Sequence, residues 1–256
     1  MILTDTHAHL YLENFNDDRE QVIRNALDNG VRQILLPNID KKTISSMLSM
    51  TDQYPDICFP MMGLHPTSVK DDYKEQLSLV EEWLPKKPFC AVGEIGIDLY
   101  WDKTHLKEQQ TSLREQLRWA KQHDLPVVLH SRNSFMEIID ILKEEKDNTL
   151  RGVFHCFTGN LEEANMAIGL GFSLGIGGVL TYKNSGFVDV IEHIDLKHLV
   201  LETDSPFLPP VPHRGERNQS AWVLFVAQKL AQVKRISVDQ VAEVTTHNAK
   251  TLFNLP

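Results

Sequence analysis

Eight short runs rich in apolar and β-branched residues recur along the chain, at 2–6, 33–36, 57–62, 89–93, 127–130, 152–155, 172–175 and 199–202. Several are almost wholly apolar rather than alternating, which is the pattern of strands covered on both faces. Longer stretches of helical periodicity lie between them. The stretch 105–122 puts Leu106, Leu113, Leu117 and Ala120 on one face, 135–146 repeats the pattern, and 221–232 and 238–252 predict two closing helices. Strands alternating with helices predict a parallel sheet with right-handed crossovers, and closure of that sheet gives a (β/α)8 TIM barrel. An open, doubly wound sheet is the alternative. No linker, low-complexity tract or charge block breaks the alternation, so residues 1–256 are read as a single domain.

Composition narrows the picture only a little. The chain is 42% hydrophobic and 24% charged, ordinary values that exclude a disordered segment. Its formal net charge is −9, which argues against a protein that coats nucleic acid with a broad basic field. An enzyme meeting a phosphodiester only at a local cation-bearing cleft is not excluded, because bound cations supply the positive charge there. Cys58, Cys90 and Cys156 are odd in number and widely spaced, the pattern of buried thiols in a reducing compartment. The first ten residues carry no basic n-region, and no apolar stretch approaches the roughly 20 residues of a membrane span. The expected address is the cytoplasm, without a membrane association.

The chemistry is concentrated at the ends of the predicted strands. His7 and His9 follow the first run, and residues two apart on a strand point the same way, so both imidazoles can reach one ion. His65 follows the third run, Glu94 ends the fourth, His130 the fifth and His155 the sixth, while Asp204 follows the eighth. A barrel gathers the C-terminal ends of its strands around one mouth. Taken singly, each residue has a plain structural role: a His-x-His is weak evidence, and Thr203-Asp204-Ser205-Pro206 could cap a helix. Converging on one rim, these imidazoles and carboxylates would be a costly burial without an ion, so the set is read as a metal site.

These residues sit in segments that resemble the TatD family of metal-dependent deoxyribonucleases, within the amidohydrolase-like hydrolases. The matching segments are Asp5-Thr6-His7-Ala8-His9-Leu10, Gly63-Leu64-His65-Pro66, Gly93-Glu94-Ile95-Gly96-Ile97-Asp98, Leu129-His130-Ser131-Arg132, Phe154-His155-Cys156-Phe157-Thr158-Gly159 and Glu202-Thr203-Asp204-Ser205-Pro206, in order over nearly the whole chain. The resemblance implies two divalent ions: one on His7 and His9, the other on His130 and His155, with Glu94 bridging. Asp204 would bind the first ion and the attacking water, and His65 would contact substrate. Pro212-His213-Arg214-Gly215 matches a family loop, but Glu216 stands where Lys is frequent and Gln219-Ser220 replaces a frequent Glu-Pro. The ligands are unaffected, while transfer of substrate preference is weakened.

Imidazole donors favour zinc, manganese or iron, and magnesium prefers oxygen, although the resemblance implies activity with magnesium as well. The metal is thus read as zinc, magnesium or manganese. The implied reaction is two-metal hydrolysis of DNA phosphodiesters, from a 3′ end on single strands, with Asp204 and Glu94 as catalytic groups and no obligate protein partner. The same site on the same barrel could instead cleave an amide, lactone or aminoacyl-ester bond. A non-enzymatic binding module is disfavoured by the complete ligand set. Arg132, Lys183, His213, Arg214 and Arg217 are candidate phosphate contacts, with Arg132 and Arg214 favoured because they adjoin matched motifs. Tyr100 and Trp101 could stack on a base or form a hydrophobic lid, and Asp98 could orient a ligand histidine.

Overall fold

The computed structural model describes residues 1–183 and 186–256. The strands are β1 (Leu3–Asp5), β2 (Val31–Pro37), β3 (Cys58–Met62), β4 (Ala91–Asp98), β5 (Val127–Arg132), β6 (Gly152–Phe154), β7 (Phe172–Ile176) and β8 (Leu199–Leu201). They are parallel and ordered β1 to β8 in sequence. The helices are α1 (Arg19–Asp28), α2 (Ile44–Gln53), α3 (Tyr73–Trp83), α4 (Leu106–Gln122), α5 (Phe135–Glu145), α6 (Leu161–Gly169), α7 (Phe187–His193), α8 (Val223–Lys234) and α9 (Val238–Phe253). The seam between β8 and β1 is held just beyond the strands. Thr6 N–H donates to Leu201 O (3.0 Å), Asp204 N–H to His7 O (2.9 Å) and His9 N–H to Ser205 O (2.7 Å). Those contacts make the sheet a (β/α)8 barrel rather than an open sheet.

Two apolar layers follow from the strand period of two. Leu35, Met61, Ala91, Val128, Val153 and Val200 pack together with Ala249 and Phe253 of α9. Six strands and no other helix contribute, so this cluster fills the barrel interior, and α9 stops its lower end. Their neighbours in sequence, among them Ile34, Leu36, Val127, Leu129 and Leu201, pack outward against the helices. Two residues above Val128, Val153 and Val200 on the same face stand His130, His155 and Glu202, which carries the interior column upward into the mouth.

The strand limits differ from the sequence pattern where it matters most. The pattern ends the fourth run at Gly93 with Glu94 at its tip, yet β4 continues to Asp98. Its pairing with β5 slips between Val92 and Ile95, then resumes with Gly96 opposite His130 and Asp98 opposite Arg132. A bulge of this kind re-aims a side chain without ending the strand, so Glu94 lies within β4 and Asp98 reaches the rim. β5 likewise runs two residues past His130. Among the described residues no helix is long and apolar enough to cross a membrane, and the three cysteines are free thiols.

Candidate metal centre

The seam of the barrel brings the N-terminal histidines to Asp204. His7, Ala8 and His9 leave β1 still in register with the chain beyond β8, Ala8 bridging to Ser205. Asp204 itself takes φ +56°, a left-handed conformation that Asp tolerates better than most residues. His7 Nε2 lies 3.3 Å from His9 Nε2, 3.1 Å from Glu94 Oε2 and 3.8 Å from Asp204 Oδ1. His9 Nε2 lies 3.8 Å from Glu94 Oε2 and 3.6 Å from Asp204 Oδ1. A tetrahedral ion with bonds of roughly 2.0–2.1 Å needs donors about 3.3–3.4 Å apart, so His7, His9 and Glu94 form one group that could hold a small divalent ion, while Asp204 forms another with His7 and His155.

The other oxygen of Glu94 faces a second set of imidazoles. Glu94 Oε1 is 2.8 Å from His130 Nδ1, 3.3 Å from His65 Nε2 and 3.6 Å from His155 Nε2. His155 also stacks on His7, with ring centroids 3.5 Å apart, and its Nε2 stands 3.9 Å from Asp204 Oδ1. His155 therefore sits between both oxygen donors, close to the His7 side as well as to Glu94.

Partners on the far nitrogens orient the rings. His130 Nε2 meets Asp98 Oδ2 at 2.9 Å, which fixes the proton there and leaves Nδ1 to face Glu94. His155 Nδ1 is 3.0 Å from Glu202 Oε1, an ion-pair contact without hydrogen-bond geometry, while its Nε2 faces the centre. Tyr11 donates its hydroxyl proton to Pro37 O and so accepts from His9 Nδ1 at 3.0 Å, freeing His9 Nε2. In all three, the nitrogen facing the centre is the one that offers a lone pair once the ring is neutral, as a metal ligand must be. His65 is the reverse. Its Nδ1 accepts from Thr67 N–H at 3.1 Å, so Nε2 keeps the proton and is a donor toward the centre. Asp98 thus falls where the sequence suggested. Glu202 and Tyr11 carry no signal of their own in the sequence, although each lies two residues from a candidate ligand on the same face.

Charge in the mouth is shared between buried groups. Burial opposes ionisation of Glu94, yet His65, His155 and His7 hold its carboxyl well below the usual range. Burial also opposes protonation of His155, but Glu202 and Glu94 outweigh it and lift the imidazole to about 10. His130 is raised to about 8, burial again being overcome by Asp98 and Glu94. Burial alone dominates at His7 and His65, which are lowered. One layer behind, Asp5 accepts from Thr203 N–H and Oγ1, and burial lifts its carboxyl to about 7. Imidazoles and carboxylates around one point, with His9, His130 and His155 turned inward, fit divalent cations in their donor chemistry, and a bound cation would displace the protons on His130 and His155.

The rim residues separate into engaged and unengaged groups. Arg217 is tied down: it pairs with Asp18 (2.6 Å) and packs over Phe15. His213 stacks on Trp222 at 4.0 Å and meets Glu216 at 3.0 Å. Both therefore anchor the loop after β8 instead of presenting a free cation. Lys183 is exposed. Arg132 lies over the Tyr100 ring at 3.8 Å and Arg214 over Tyr182 at 3.8 Å. Neither has a carboxylate within ion-pair distance among the described residues. A cleft of about 440 Å³ opens beside His155 between the loops after β5 and β6, lined among others by Asn133, Met136, Cys156 and Thr158; the sequence held no sign of it.

A (β/α)8 barrel with histidine and carboxylate clusters at the C-terminal mouth of its strands defines the class of metal-dependent hydrolases. Within that class the chain belongs to the TatD family, since the family model described as TatD related DNase matches residues 4–254. It is 36% identical over 255 residues to YabD of Bacillus subtilis, an uncharacterized metal-dependent hydrolase, covering 99% of this chain and 100% of that one. The crystal structure of YjjV, a TatD homologue of Escherichia coli K12, superposes with a TM-score of 0.94 at 33% identity, covering 99% of this chain and 98% of that one. A TatD family hydrolase of Entamoeba histolytica superposes with a TM-score of 0.86 at 22% identity, covering 100% of this chain and 99% of that one, which bears on the fold alone.

Proposed function

We propose that the protein is a deoxyribonuclease that shortens single-stranded DNA from its 3′ end, using two divalent ions held by His7, His9, Glu94, His130, His155 and Asp204. His7, His9 and Asp204 would hold one ion and His130 and His155 the other, with Glu94 between them. The observation that carries this reading is the division of Glu94: Oε2 faces His7 and His9 while Oε1 faces His130 and His155. Zinc, manganese and magnesium are the candidate ions. When bound, they supply Lewis acidity at the scissile phosphate and a lowered pKa for the attacking water.

The chain's own residues do the rest. Asp204 is the proton acceptor for the water. Burial opposes its ionisation, but His9, His155 and His7 hold it below the ordinary carboxylate range, so it is ready as a base. Asp98 and Glu202 keep His130 and His155 turned inward through the reaction. His65, a donor at Nε2, reaches a phosphoryl oxygen. Arg132 and Arg214, with no carboxylate at ion-pair distance among the described residues, neutralise flanking phosphates of a strand that the rest of this acidic surface would repel.

The deciding test is incubation of metal-reconstituted protein with 3′- and 5′-labelled single-stranded DNA. Stepwise loss from the 3′ end in magnesium, manganese or zinc is expected. Absence of cleavage with all three would overturn the reading and favour ester or amide substrates.

A further inference from the structure

Most of the arginines on this chain already have partners. Arg24, Arg114, Arg118, Arg151, Arg217 and Arg235 pair with carboxylates, and Arg19 and Arg32 donate to backbone carbonyls. Arg132 and Arg214 remain without a carboxylate partner among the described residues, and both sit over a tyrosine ring. Each stands beside exposed apolar surface. Next to Arg132 the loop after β4 presents Tyr100 at 53% exposure and Trp101 at 71%. The loop after β8 that carries Arg214 also presents Phe207 at 51%, with Leu208 and Val211 open.

Neither loop is a slack segment. Asp98 Oδ1 accepts from Tyr100 N–H (2.9 Å) and Trp101 N–H (3.3 Å), while its Oδ2 holds His130. One carboxylate thus indexes the Trp101 loop to the candidate metal centre. On the other side Val211 N–H donates to Thr181 Oγ1 (2.8 Å), Tyr182 Oη donates to Pro209 O (3.1 Å), and the Phe207 ring stands 6.1 Å from that of His9. With strands in the order β1 to β8 around the ring, β4 and β8 are diametrically opposed. Glu94 lies in β4, and Asp204 follows β8.

From this we infer that Trp101 and Phe207 are two base-stacking stations, each paired with an arginine for the adjoining phosphate, on opposite sides of the metal centre. The ligand class is a single-stranded oligonucleotide with a base on each side of the scissile phosphate. Unpaired bases offer the faces that an exposed ring needs, and stacking is tolerant of sequence. A duplex hides those faces, so it binds only where its end is frayed. The inference rests on the nuclease reading and deepens it by setting a minimum substrate with nucleosides on both sides of the bond.

The test compares the wild type with Trp101→Ala, Phe207→Ala and their double variant on a ten-residue oligothymidylate and on methyl p-nitrophenyl phosphate, a small diester with no nucleobase and a ring on one side of the phosphate only. For each single variant, the ratio of kcat/KM on the oligonucleotide to that on the small diester is expected to fall by roughly 5- to 100-fold, carried mostly by KM. Trp101→Phe, which keeps an aromatic face, restores most of it. Binding is followed independently by quenching of Trp101 fluorescence with the same oligonucleotide in EDTA, the other tryptophans being partly or wholly buried. A wild type that cleaves the oligonucleotide while both variants keep an unchanged ratio overturns the stations alone. Quenching without any cleavage supports the stations and overturns the nuclease reading. Neither quenching nor cleavage, or quenching that is unchanged in Phe207→Ala together with an unchanged KM on the oligonucleotide in Trp101→Ala, overturns the stations.

Discussion

At the scale of single residues, Glu94 and Asp204 look alike in sequence and differ in what surrounds them. Glu94 is almost fully buried, with imidazole nitrogens on both of its oxygens. Asp204 keeps 14% of its side chain exposed and presents Oδ1 to the histidines from one side. Glu94→Gln replaces one oxygen with an amide that cannot ligate, so a fall in metal content is expected, with affinity reduced by at least the roughly 10- to 100-fold typical of lesser perturbations. Asp204→Asn keeps an oxygen toward His9 but removes the base. It should retain most of the metal by elemental analysis while turnover falls by about 10²- to 10⁴-fold. Full occupancy in the first variant, or full turnover in the second, removes the role assigned to that residue. The candidate ligands were legible in the sequence because strand-end position and spacing of two are linear features. The orientation of His65 was not, because it depends on a proton set by Thr67 N–H. Glu202 was hidden for a related reason: its partner His155 is remote in sequence and adjacent only once the barrel is folded.

At the scale of elements, the alternation of apolar runs with helical periodicity predicted every strand, and the limits of α4, α5, α8 and α9 to within about two residues. The error at β4 has a physical cause. Gly93-Glu94-Ile95-Gly96 reads as a strand stop, since glycine is the usual break, whereas here the glycines serve close approach. Gly96 has φ +140°, and a Cβ there would lie 2.1 Å from His130 O. Gly96→Ala must therefore push β4 off β5 beside His130. A loss on the order of 2–4 kcal/mol is expected, or about 4–16 °C in Tm, together with weaker metal binding. Gly169, the last residue of α6, has nothing within 4 Å of the point where a Cβ would stand, and its φ is ordinary, so Gly169→Ala should leave stability level or slightly raised. Thermal denaturation of the pair checks the claim, and equal melting temperatures would refute it.

At the scale of the whole molecule, eight strand–helix repeats led to the closed barrel, and what closes it is a seam of contacts between residues about 200 apart, such as His7 and Asp204. That seam concentrates charge. Glu94, Asp98, Glu202 and Asp204 place four carboxylates in one mouth, on a chain already carrying −9 overall. In the ion-free protein part of this is balanced by protons on His130, held to about 8, and His155, held to about 10. Groups raised above their unfolded value of 6.5 stabilise the fold fully below that pH. The contribution is lost as pH rises through 8 and then 10, so the ion-free fold weakens across that window. Divalent ions compete with the same protons, and their affinity rises as the protons leave. The two trends add. The gap in Tm between manganese-loaded and EDTA-treated protein should therefore widen from pH 6 to pH 8. At a free ion concentration about a hundredfold above Kd the ion contributes roughly 2.7 kcal/mol, or on the order of 5–10 °C for a chain of this size. A gap that stays constant or narrows over that range would show that the histidines are neutral before the metal arrives, and that the carboxylates behind them do not hold protons in its place.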